Sequence, residues 1–73
     1  MMSGFIGTQV IYRGRRYTLT EEPTLVDPDA GVVEVVNSRG LSNTLFVAIE
    51  RDRIVRAATL HEPWAAVETV PPL

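Results

Sequence analysis

The sequence has no cysteine. A disulfide and a thiolate zinc site are therefore both excluded. It has one histidine, His61, so a metal centre would need acidic ligands brought from elsewhere in the chain. It has no lysine: all seven basic residues are arginine, against nine acidic residues, for a net charge of -2. That balance weighs against non-specific nucleic-acid binding, which depends on a cationic surface that releases counterions. An arginine-only complement could serve bidentate or stacked contacts. The plainer source is a compact, GC-rich genome, bacterial or bacteriophage, in keeping with the frequent Ala, Val, Gly and Pro. No apolar run approaches the roughly 18 residues of a membrane-spanning helix. The stretch Met-Met-Ser-Gly-Phe-Ile-Gly-Thr has neither the basic start nor the long apolar segment of a signal peptide. The expectation is a soluble cytoplasmic protein with no membrane contact.

Seventy-three residues make one small domain. A chain of this size buries only about 60% of the surface its unfolded form exposes. Such domains lean on disulfides, a metal or association. The first is excluded and the second unsupported, so association with copies of itself or with another protein remains. The hydrophobic fraction of 45% suits a folded domain rather than a disordered one.

The remaining signals are those of β-structure. The longest apolar run, Asn43 to Leu60, reads as two strands joined by a polar turn. Residues 1–7 read as a flexible end, pinned by Phe5 and Ile6. Residues 8–20 read as a hairpin, because Val10 and Tyr12 share one face of the first strand and Tyr17 and Leu19 share one face of the second. Gly14-Arg15 between them suits a type II′ turn with glycine first. Residues 21–31 read as a loop, broken by Pro23 and Pro28, with Leu25 and Val26 tucked onto the core. Within it, Asp27-Pro28-Asp29-Ala30-Gly31 has strong turn chemistry. Residues 32–36 form a strand with apolar residues on both faces, and Asn37 to Asn43 a second turn.

The pairing of Thr44–Glu50 with Arg53–Leu60 has two registers. A two-residue turn at Arg51-Asp52 sets Ile49 opposite Ile54 and Glu50 opposite Arg53. A three-residue loop sets Leu45, Val47 and Ile49 opposite Thr59, Ala57 and Val55, a cleaner apolar face, and is preferred because Arg-Asp is a poor primed turn. One residue of slip exchanges the two faces of a strand, so this choice decides what is core. The end of the chain reads as one short helical or 3₁₀ turn near Pro63, then a strand over 66–70 and a tail over 71–73. Five or six short strands with frequent turns predict an all-β, partly open antiparallel barrel of SH3-like or OB-like architecture, as a single domain over residues 8–70.

Candidate functional residues are few. Arg13, Arg15 and Arg16 flank Tyr12 on the first hairpin, a pattern that suits backbone and base-stacking contacts with a nucleic acid. The plainer reading is a solvated turn, with Tyr12 and Tyr17 facing the core. Trp64, the only tryptophan, suits an interface anchor, or else plugs an open barrel end. His61 beside Glu62 has no nucleophile, oxyanion site or metal to work with, and Asp27 and Asp29 lack the density of a calcium loop. No catalytic, cofactor-binding or metal-binding set emerges, so an enzyme is not expected. The expected function is a non-catalytic protein–protein interaction module, a homo-oligomer or one docking on a larger assembly. Trp64, Phe46, Arg56 and Val32 are the partner-binding candidates. The alternative is a small-barrel nucleic-acid binder using Arg13, Arg15, Arg16 and Tyr12.

Overall fold

A computed structural model describes residues 4–72. It is all-β, with eight antiparallel strands: β1 (Gln9–Tyr12), β2 (Arg15–Leu19), β3 (Thr24–Asp27), β4 (Ala30–Asn37), β5 (Ser42–Glu50), β6 (Arg53–Ala58), β7 (Ala65–Ala66) and β8 (Glu68–Val70). The ladder runs β7-β6-β5-β4-β2-β1-β8, and β3 joins from the side by pairing with β4. The two ends of that path are consecutive in the chain and are joined through Val67. The segment 65–70 therefore pairs first with β6 and then with β1. The sheet rolls into a nearly closed barrel, with one unsealed seam bridged by Val67 N donating to Val55 O at 3.2 Å.

The alternation of the sequence explains the inside of this barrel. Val10, Tyr12, Tyr17, Leu19, Val33, Val35, Leu45, Val47, Ile54 and Ala57 form one buried cluster. Each is the inward member of a period-two strand. Complete burial of a side chain such as Leu45 contributes about 1.5–3 kcal/mol.

Four details differ from the sequence-based expectations. The first turn is Arg13-Gly14, not Gly14-Arg15, since Tyr12 pairs with Arg15. Both turn residues have positive φ, 51° and 78°, as a type I′ turn demands. Moving the turn back by one residue slides the pairing by two and keeps the faces, so Tyr17 now stands opposite Val10 while Tyr17 and Leu19 still share the inward face with Val10 and Tyr12.

The second concerns residues 21–31, which contain a strand rather than only a loop. β3 pairs with β4 from Thr24 to Asp27, with a bulge at Val26, and the Pro28-Asp29 turn connects them. Leu25 and Val26 do not tuck inward; both are exposed. The Pro residues bracket this strand instead of abolishing it, and Gly31 lets it approach. A Cβ on Gly31 would stand 2.8 Å from the Thr24 carbonyl oxygen.

The third concerns the β5–β6 hairpin, which uses both registers. Its turn is the two-residue Arg51-Asp52, with φ of 52° and 64°, so Ile49 faces Ile54 and Glu50 faces Arg53. A bulge then shifts the pairing, and Val47 meets Ala57 while Phe46 meets Ala58. The extra residue lets Ile54 and Ala57, three apart, both point inward. Arg56 is left on the outside.

Finally, no helical or 3₁₀ turn forms near Pro63; residues 60–62 are bends, and the closing strand is split into β7 and β8. Of the expected flexible end, residues 1–3 lie outside the described residues, as does Leu73 of the expected tail. Phe5 packs against the core. The backbone amides of Phe5 and Ile6 donate to Glu22 Oε2 at 2.7 and 3.2 Å, while the Ile6 side chain stays exposed.

Candidate interaction face

The outward members of β4, β5 and β6 make a second face. Ladder partners share a face, so Val32, Phe46 and Ala58 form one row across the three strands. Two residues along, Ala30, Ala48, Arg56 and Ala66 form the next row, which extends onto β7. Trp64, just before β7, lines a shallow groove of about 190 Å³ with Asp29, Ala30, Ala48, Glu50 and Arg56. Val32 and Phe46 are half-buried, Arg56 is exposed, and the Trp64 residue is 50% exposed. Trp64 therefore does not plug the barrel. It stands at the margin of the outer face with half its surface in solvent. Beyond Val32 and Phe46 the face turns polar: Glu34 pairs with Thr44, whose hydroxyl donates to Glu34 Oε2 at 3.2 Å.

The four residues expected to bind a partner, Val32, Phe46, Arg56 and Trp64, thus come together on one side of the barrel. The bulge is what puts Arg56 there. With the turn register carried along the whole hairpin, Ala57 would have exchanged faces with Arg56.

The arginine hairpin is placed differently. Tyr12 is fully buried, and its hydroxyl donates to Pro63 O at 2.8 Å and accepts from Arg13 Nε at 3.2 Å. The guanidinium carbons of Arg13 and Arg15 lie 5.6 and 5.5 Å from the Tyr12 ring centroid, within cation–π range. Arg15 forms an ion pair with Glu62, and that hydrogen bond raises the Arg15 pKa above its ordinary value. Arg16 donates to Gln9 Oε1. All three arginines, though exposed, thus have partners within the protein, and the aromatic residue beside them, Tyr12, faces inward.

Glu62 serves Arg15, and the exposed His61 uses its backbone amide to donate to Thr59 Oγ1 at 3.2 Å. Among the described residues no group of three His, Asp or Glu side chains is placed to hold a metal ion. Among the described residues no helix is long and apolar enough to cross a membrane.

No protein-family model matches this chain, and comparison with curated proteins and with solved structures returns no match.

Beside β3 lies a separate opening lined by Phe5, Leu25, Pro28, Ile49 and Asp52. The β3–β4 hairpin forms one wall of it, and the Pro-rich sequence of residues 21–31 obscured it.

Proposed function

We propose that this protein is a small, non-catalytic protein–protein interaction module that works through the outer face of β4–β6 and Trp64. It associates with copies of itself or docks on a larger assembly, and a cytoplasmic accessory protein of a bacterium or bacteriophage fits its size and composition. The observation that carries this reading is the convergence of Val32, Phe46, Arg56 and Trp64 on one side of the barrel. Aromatic residues and arginine dominate the energetics of binding surfaces, and Trp64 and Arg56 stand side by side along one groove. A 73-residue chain with no disulfide also gains from burying such a face against a partner.

Sedimentation and light scattering over a wide concentration range test self-association. The expected result is a mass above that of the monomer, brought down by Phe46→Arg or Trp64→Ala. A strict monomer whose Trp64 emission never changes with concentration argues against self-association. Capture of one specific partner, lost in the same two variants, would then support docking instead. The alternative, nucleic-acid contact through Arg13, Arg15, Arg16 and Tyr12, has less support, because Tyr12 is buried and Arg15 and Arg16 have protein partners. Oligonucleotide binding at low salt that is abolished when the three arginines become alanine would favour it.

A further inference from the structure

β3 is bonded on one side only. It pairs with β4, and no other strand of the described residues pairs with it. Outside that ladder, none of its backbone groups hydrogen-bonds within the described residues. An unpaired row of N–H and C=O groups is a template for another strand unless it is blunted by charge, proline or a covering element. Here Leu25 and Val26 are 57% and 70% exposed, in the middle of the edge. The bulge at Val26 twists the strand and limits any added pairing to a few residues. At Gly31 the two backbones approach so closely that a Cβ would stand 2.8 Å from the Thr24 carbonyl oxygen.

A groove of about 270 Å³ opens beside this edge. Phe5, Leu25, Pro28 and Ile49 supply apolar walls, Glu22 and Asp52 supply carboxylates, and no arginine lines it. The approaches to the strand are acidic as well, with Glu21 before it and Asp27 and Asp29 at its far end. None of these acids forms an ion pair among the described residues.

We propose that the free edge of β3 and this groove dock an extended segment of another protein that alternates apolar and basic residues. Backbone hydrogen bonds to the edge supply affinity, and alternate side chains supply specificity, the apolar ones entering the groove and the basic ones meeting the acids. A second copy of this chain is a poor occupant. Antiparallel pairing of β3 with itself would set Glu21 and Glu22 of one copy beside Asp27 and Asp29 of the other, and like charges so placed repel. This surface adjoins the outer face at Asp29 and Ile49, but Phe5, Leu25 and Asp52 belong to it alone and Phe46 and Trp64 do not line it, so shifts at the two sets of residues tell the two surfaces apart.

The test is a titration of isotope-labelled protein, followed by amide chemical shifts at low salt, with a short peptide alternating Lys and Val. Saturable shifts at Thr24–Asp27, Phe5 and Ile49 are expected. A peptide of equal charge interrupted by Pro should bind about ten-fold more weakly or worse, because it cannot complete the strand. An alternating Glu-Val peptide should not bind. The exposed substitutions Val26→Lys and Asp27→Lys should each weaken binding while the Leu45 and Val47 signals stay in place, which shows that the barrel is intact. Any of four results overturns the proposal: no saturable binding, equal binding of the Pro-interrupted or acidic peptide, shifts confined to Phe46 and Trp64, or dimerisation of the free chain through β3.

Discussion

The Tyr12 hydroxyl donates a 2.8 Å hydrogen bond to the Pro63 carbonyl, tying the end of the first hairpin to the segment that closes the barrel. The two residues are 51 apart in sequence, so the bond spans most of the chain. It holds Pro63 in place immediately before Trp64, and so helps to position the residue at the margin of the outer face.

Tyr12→Phe removes that bond and also the acceptor used by Arg13 Nε. The ring stays, so the core volume is kept and the loss is polar. Destabilisation of about 1 kcal/mol is expected. Urea unfolding followed by Trp64 emission measures it, and a change in the folded-state emission would report movement of the Pro63-Trp64 segment as well.

Gly31 and Gly14 should respond differently to alanine. At Gly31 the new Cβ would lie 2.8 Å from a backbone oxygen of β3, so the strand must shift, at a cost of about 1–3 kcal/mol. Amide exchange should accelerate at Thr24–Asp27 more than at Leu45–Val47. At Gly14 there is open space, and the penalty comes only from φ of +78°, about 1 kcal/mol. Its exchange effect should stay within the β1–β2 hairpin.

The Arg51-Asp52 turn holds two non-glycine residues at positive φ, 52° and 64°. Replacing them together, Arg51→Asn with Asp52→Gly, installs the pair that type I′ turns favour. Stabilisation of about 0.5–2 kcal/mol is expected in thermal or urea unfolding, since the strain at each position is of order 1 kcal/mol. A loss of stability would mean that the side chains of Arg51 or Asp52 make contacts outweighing that strain.

Arg15→Ala breaks the ion pair with Glu62, whose side chains are 47% and 35% exposed. A partly exposed pair of this kind contributes less than about 1 kcal/mol, and the difference from the parent protein should shrink as salt is added. The folded-state pKa of Arg15 is raised, so its contribution is fully present below the unfolded value and is lost only as pH rises through the folded one. Both are strongly alkaline, so the stability difference between Arg15→Ala and the parent protein should stay constant from neutral to mildly alkaline pH.

Much of the barrel was legible because alternation is a local property. Val10 and Tyr12, Tyr17 and Leu19, and Leu45 and Val47 announce an inward face by spacing alone, whereas Val33 and Val35 lie in a run apolar on both faces and are assigned inward only by the structure. The Asp27-Pro28-Asp29 turn was equally readable from its chemistry. β3 was not, because Thr24 to Asp27 has little alternation, sits between prolines and owes its strand geometry to pairing with Val32, Gly31 and Ala30. Nor was the Arg13-Gly14 turn, because arginine at positive φ runs against its own preference and is imposed by the register of β1 on β2.

The candidate face shows the same division. That β4 and β5 carry apolar residues on both sides follows from the sequence itself, which left Trp64 between an interface anchor and a plug of the barrel end until the structure showed it half exposed. Composition also excludes disulfides and thiolate metal sites outright. The tertiary structure alone decided that Val32, Phe46, Arg56 and Trp64 meet, since one bulged residue in β6 determines which way Arg56 points. It also decided that β3 exists and keeps one edge free. Both depend on which strands pair, and in which register, and a period-two pattern leaves those choices open even for partners as close in sequence as β3 and β4.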